Sequence, residues 1–185
     1  MLYIITGIAK AGKTYVTNKI VQNYKLGYFS SDYLMMSLAK GNKTIGVNPN
    51  ASDITVSNQL QPYLEAMIKT MVENKIDYIL EGVHFQPEFV RSILDKYPDQ
   101  IEVIFLGYKD IDTLKKVEEM KLFGPKTQNH WYSNMNDQEL TQLVEYMKNE
   151  CQKLYDNCLN HNLPYFEVYD IVSQSDEIIK RLMHE

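Results

Sequence analysis

Gly7-Ile8-Ala9-Lys10-Ala11-Gly12-Lys13-Thr14 is a complete G-x-x-x-x-G-K-[ST] phosphate loop, and the apolar run Leu2 to Ile5 before it reads as the first strand of a sheet. Each fixed position has a chemical reason. Glycines let backbone N–H groups turn inward around phosphate oxygens, the Lys13 ammonium reaches the β- and γ-phosphates, and the Thr14 hydroxyl serves a magnesium ion. A helix beginning near Lys13 points the positive end of its dipole at the same anion. The motif predicts ATP or GTP bound with Mg²⁺, held by Gly7, Lys10, Ala11, Gly12, Lys13, Thr14 and the adjoining Tyr15.

The 185 residues suit one domain with a two-sided core. Apolar residues make up 44% and charged residues 23%, the balance of an ordinary globular chain, which argues against disorder. A formal net charge of −5 argues against non-specific binding to a polyanion, so no nucleic-acid partner is expected. No apolar stretch is long enough to cross a bilayer, and Met1 to Thr6 leads straight into the phosphate loop with no room for a signal peptide. A cytoplasmic protein is expected, with no membrane partner. Cys151 and Cys158 would lie about 10 Å apart on one helix, too far for a disulfide, and the four histidines form no zinc spacing with them.

Short β-branched or aromatic runs alternate with longer amphipathic stretches, the pattern of a parallel sheet covered by helices on both faces. Strands are expected at Leu2–Ile5, Gly27–Ser30, Tyr78–Leu80, Glu102–Leu106 and Tyr165–Val168. Helices are expected around Lys13–Tyr24, Asn58–Glu73, Pro87–Lys96, Ile111–Met120, Asp137–Asn160 and Ser175–Met183, with a short one over Tyr33–Lys40. Two stretches break the rhythm. Lys40 to Asn50 is rich in turn formers and reads as a mobile part of a substrate-side segment, about 33–75. Lys121 to Asn134 lies between two helices, within a lid candidate at about 115–134. Trp131, the sole tryptophan, either stacks on a ligand or pins that loop to the body.

Carboxylates stand where strands end. In Phe29-Ser30-Ser31-Asp32 an apolar strand ends in hydroxyls and an acid, and the carboxyl ends of parallel strands face the ligand crevice. Asp32 there can take the proton of an attacking hydroxyl, while Ser31 or Asp32 can equally cap the next helix. Ile79-Leu80-Glu81-Gly82-Val83-His84 ends a second strand on an acid that suits a magnesium-bound water. Gly82 permits close backbone approach to a substrate, and His84 stands at the acceptor mouth, either on an anionic acceptor or on a loop carbonyl.

Gly7 to Thr14, Ser31-Asp32, the Gln59–Glu73 helix leading into Ile79 to His84, and the late Tyr165–Asp170 stretch together resemble the small-molecule kinases of the P-loop superfamily. The pattern is most similar to the 2-phosphoglycerate kinase-like group, with zeta-toxin, shikimate and gluconate kinases as more distant relatives. The resemblance implies an α/β P-loop NTPase fold with a five-stranded parallel sheet, like that of nucleoside monophosphate kinases. It implies Mg-ATP as donor, Lys13 and Thr14 at phosphates and metal, Asp32 as base, and Glu81 and Gly82 beside the acceptor. One departure stands out. Such kinases bring lid arginines to the transferring phosphoryl group, and this chain has only Arg91 and Arg181, neither in the lid candidate. Lys121 and Lys126, flanking Gly124-Pro125, are the expected substitutes, whereas Lys115 and Lys116 read as a solvated helix face. The expected activity is transfer of the γ-phosphate of ATP to a small hydroxyl- or phosphate-bearing metabolite. The alternatives are a nucleotide-operated binding protein and a toxin-like kinase of nucleotide sugars.

Overall fold

The computed structural model describes residues 1–41, 43–126 and 131–184, with the side chains of Lys43 and Lys126 outside the description. Among the described residues the apolar runs become five strands, β1 (Leu2–Gly7), β2 (Gly27–Ser30), β3 (Tyr78–Glu81), β4 (Ile101–Gly107) and β5 (Tyr165–Glu167). All pair in parallel, in the order β2-β3-β1-β4-β5. Seven α-helices connect or follow them: α1 (Lys13–Tyr24), α2 (Ser31–Gly41), α3 (Asp53–Glu73), α4 (Pro87–Lys96), α5 (Thr113–Phe123), α6 (Asp137–Asn160) and α7 (Ile171–Met183).

The period of two along each strand divides its side chains between two cores. Leu2 and Ile4 of β1, Leu80 of β3 and Phe105 of β4 join Leu60, Leu64 and Ile68 of α3 and Val90 and Ile93 of α4. Ile5, Ile79, Ile104 and Leu106, one position along, join Val16 and Ile20 of α1 and Ile178, Ile179 and Leu182 of α7. Helix α6 reaches both cores, Met147 and Cys151 entering the second and Cys158 the first. Burial pushes these two free thiols up to about 11 and about 12, so they stay protonated packing groups. Val117 and Met120 of α5, Tyr132, and Leu140 and Val144 of α6 form a third, smaller core.

The expected helices over Lys13–Tyr24, Pro87–Lys96 and Asp137–Asn160 are present with those bounds. Three others start elsewhere because polar caps, rather than the first apolar residue, set their ends. Ser52 accepts the Thr55 amide, so α3 begins five residues before Asn58. Asp170 accepts the Val172 amide and starts α7 at Ile171 rather than Ser175, and Asp112 accepts the Lys115 amide and starts α5 at Thr113 rather than Ile111. Val47 is buried in the first core, which anchors the turn-rich Lys40 to Asn50 stretch to the body at that point.

Strand order reverses about β1, whose neighbours β3 and β4 lead to opposite edges, and the phosphate loop leaves the carboxyl end of β1 at that reversal. The exit is tight. Gly7 has φ +122°, and a Cβ there would lie 2.0 Å from the Leu106 carbonyl oxygen of β4. Both the conformation and the backbone contact exclude a side chain. Gly7→Ala should therefore cost roughly 3 kcal/mol or more of stability, read as a lower midpoint of urea unfolding; a parental midpoint would contradict the close approach.

Candidate active site

Gly12 caps α1, and Lys13 and Thr14 open its first turn, so the phosphate loop is built by the strand before it and the helix after it. The Lys13 ammonium donates to the carbonyls of Gly7 at 3.2 Å and Ile8 at 2.7 Å. Burial lowers its pKa, opposed by the carboxylates of Glu81, Asp32 and Asp53. Glu81, the last residue of β3, accepts hydrogen bonds from the hydroxyls of Thr14 and Ser30. Its own pKa is raised by desolvation, with Lys13 pulling the other way. Thr14 and Glu81, expected on the metal side, thus meet side by side on neighbouring elements. Their oxygens are the hard donors that suit Mg²⁺.

Asp32 lies in the first turn of α2 rather than ahead of it, and its amide is 3.4 Å from the Ser30 hydroxyl that precedes the helix. Of the two roles open to this stretch, the capping position thus falls to Ser30. The Asp32 carboxylate is half exposed and stands 3.8 Å from Nδ1 of His84. His84, only 3% exposed, has that nitrogen 2.7 Å from the Ser31 hydroxyl. Its partner is therefore neither of the two expected. Burial lowers the imidazole pKa, opposed by Asp32 and Asp53, so the ring is neutral at neutral pH. Gly82 has φ +148°, and a Cβ there would lie 1.8 Å from the Ser31 hydroxyl oxygen. The glycine makes room for the Ser31 side chain of α2 against the end of β3, which is what brings Asp32, Glu81 and His84 together.

The second lysine of the expected solvated face requires a correction. Lys116 is 1% exposed, donates to the Lys10 carbonyl at 2.9 Å and to Glu119 at 2.8 Å, and lies 4.4 Å over the Tyr108 ring. Its long apolar stem is buried between α5 and the phosphate loop while its head meets backbone, an arrangement that periodicity cannot distinguish from a surface lysine. Lys115 is exposed as expected. Lys10 carries its ammonium 4.9 Å over the Tyr132 ring, and burial together with Lys13 and Lys116 lowers its pKa. Tyr132 is buried, with its hydroxyl donating to the Met120 carbonyl, whereas Trp131 is half exposed and edge-on to Tyr132. Lys121 is ion-paired with Asp137 at 2.5 Å, and the Lys126 side chain lies outside the described residues. Tyr15 is partly exposed in the first turn of α1, and Ala11 is buried.

Asp53 escaped the sequence reading. At the start of α3, it lines a cleft with Gly7, Ile8, Val83 and Gln86, and its charge acts on both Lys13 and His84. The signal was present in Ser52-Asp53, a cap followed by an acid in the first helical turn.

The fold recurs in solved structures. The chain aligns over 100% of its length, and 99% of the other, with shikimate kinase from Bacteroides thetaiotaomicron at a TM-score of 0.59 and 14% identity. It aligns over 100% of both chains with deoxyadenosine kinase from M. mycoides at 0.56 and 15%. A shikimate kinase from Acinetobacter baumannii gives 0.56 and 11%, covering 99% of this chain and 93% of that one.

The fold is that of the P-loop small-molecule kinases.

At these identities the likeness is one of fold, and it does not single out the 2-phosphoglycerate kinase-like group suggested by sequence. No family model and no curated protein sequence matches the chain.

Within this P-loop kinase fold Lys116 tests how the loop is held. Lys116→Met keeps the apolar stem and removes the donor to Lys10, so Mg-ATP affinity should fall about tenfold, near 1.4 kcal/mol, with urea stability changing by less than that. Calorimetric titration of parent and variant measures it, and equal affinities would show that the buried ammonium does not shape the loop.

Proposed function

We propose that the protein is an ATP-dependent kinase that moves the γ-phosphate of ATP to a small hydroxyl- or phosphate-bearing molecule. One observation carries this reading: Lys13, Thr14, Glu81 and Asp32 converge at the carboxyl ends of β1, β2 and β3, beside a cleft open at Gly7 and Ile8. Thr14 and Glu81 would hold Mg²⁺, which when bound neutralises charge on the phosphates. Lys13 meets the oxygens of the transferring phosphoryl group. Asp32 receives the proton of the acceptor hydroxyl as its oxygen bonds to the γ-phosphorus and the bond to the leaving ADP breaks. Glu81, Gly82 and His84 border the acceptor, and residues 115–134 form the lid, with Lys121 and Lys126 as its cations. Among the described residues no helix is long and apolar enough to cross a membrane, and we place the enzyme in the cytoplasm, with ATP and its acceptor as its partners.

The rival reading is a nucleotide-operated binding protein. It is favoured by the arginines, since Arg91 pairs with Asp95 and Arg181 with Glu177, each four residues along its own helix. Two substitutions separate the readings. Lys13→Ala should weaken Mg-ATP binding and cut phosphoryl transfer by roughly two orders of magnitude or more. Asp32→Asn should leave Mg-ATP affinity within about threefold while cutting transfer by about a hundredfold or more. Transfer of label from γ-labelled ATP to mixed hydroxylated metabolites, nucleosides and nucleotide sugars gives the readout. Transfer unaffected by Asp32→Asn removes the base, and nucleotide binding without transfer to any acceptor favours the binding protein.

A further inference from the structure

Two adjoining spaces share Gln86, and the first opens at the phosphate loop. It holds about 120 Å³ and is lined by Gly7, Ile8, Asp53, Glu150 and Asn157. The other holds about 290 Å³ and is lined by Asn58, Gln61, His84, Glu88 and Ser92. Only together do they reach the lower end of the range that holds a small molecule, and the first is bordered by Gly7 and Ile8, whose carbonyls accept from the Lys13 ammonium.

The hydrogen-bonding sense of these walls is one-sided. Asp53, Glu88 and Glu150 are carboxylates, which when ionised only accept. Ser57, which also lines the second space, gives its proton to the Asp53 carbonyl at 2.6 Å, and Ser92 gives its own to the Phe89 carbonyl at 2.7 Å, so both face the space with lone pairs. The Gln86 amide nitrogen is directed to the Val83 carbonyl at 3.0 Å and the Ser57 hydroxyl at 3.4 Å. Among the described lining residues the one ammonium, Lys153, is paired with Glu150 at 2.6 Å. His84 keeps one ring N–H when neutral, and its Nδ1 is engaged by the Ser31 hydroxyl. Donors otherwise remain on Asn58, Gln61 and Asn157, against the three carboxylates and two serine oxygens, so a donor-bearing ligand is the better complement.

We propose that the phosphoryl acceptor is a donor-rich polyhydroxylated compound, neutral or carrying an ammonium group, of the polyol and amino-sugar class, and that it bears no phosphate or carboxylate. Hydroxyl and ammonium groups complement carboxylates and serine lone pairs, whereas a phosphate or carboxylate brings only further acceptors and like charge. This rests on the kinase reading and narrows it: a phosphorylated metabolite and a nucleotide sugar both fall outside the class.

The experiment supplies the full-length protein and γ-labelled ATP with small molecules from an ultrafiltered cell extract, separated on an anion exchanger into an unretained and a retained fraction. Four sugars of one skeleton, glucosamine, glucitol, gluconate and glucose 6-phosphate, are assayed alongside. Label should pass to the unretained fraction at least about tenfold faster, and glucosamine or glucitol should exceed gluconate and glucose 6-phosphate in kcat/KM by a similar factor. The double variant Glu88→Gln, Glu150→Gln, which removes two carboxylates and frees Lys153, should reduce that preference severalfold. Faster labelling of the retained fraction overturns the acceptor class and leaves the kinase reading standing. With Mg-ATP binding shown by calorimetry, labelling of neither fraction overturns the kinase reading and this inference with it.

Discussion

Four consecutive carbonyls of the phosphate loop each receive a side-chain donor. Lys13 serves Gly7 and Ile8, the Tyr108 hydroxyl serves Ala9 at 2.9 Å, and Lys116 serves Lys10. A loop that turns its N–H groups inward around an anion must turn carbonyls outward, and buried carbonyls without partners are costly. The rest of the site follows from meeting that demand. Tyr108 stands just past the end of β4 and Lys116 on α5, so the strand beside β1 and the helix after it fix the cradle from outside, while Lys13 fixes it from within.

The cradle concentrates positive charge, and the neighbouring strand ends answer it with carboxylates. Burial first, and then the neighbouring ammonium groups of Lys13 and Lys116, lower the pKa of Lys10. Glu81, Asp32 and Asp53 oppose the burial of Lys13. The two signs are segregated, with ammonium groups along the loop and carboxylates at the neighbouring strand and helix ends. On the kinase reading proposed above, that separation would suit a polyanionic donor beside an acceptor of different charge.

Local chemistry was legible in the chain, and long-range placement much less so. Gly7 to Thr14 carries its own geometry, and Glu81 and Asp32 could be located because strands were readable and the ends of parallel strands share a rim. Asp53 was missed because α3 was begun at its apolar face, although Ser52 sets the helix five residues earlier. Lys116 was misplaced because a lysine's stem and head prefer different surroundings, so its position on a helix does not reveal where the head goes. Gly82 was read as a close approach of backbone to substrate, and the group that the structure brings against it is the Ser31 side chain, a tertiary contact that no local pattern encodes.

On the proposed kinase reading, this loop is a triphosphate cradle whose binding energy comes from the phosphates. Calorimetric titration of the intact protein with ATP, ADP and AMP, each in the presence of Mg²⁺, tests it most directly. Affinity should fall at each step as a phosphate is removed, with AMP weaker than ATP by about a hundredfold or more, about 2.7 kcal/mol. Equal affinities for the three nucleotides, or no binding of any, would contradict the account.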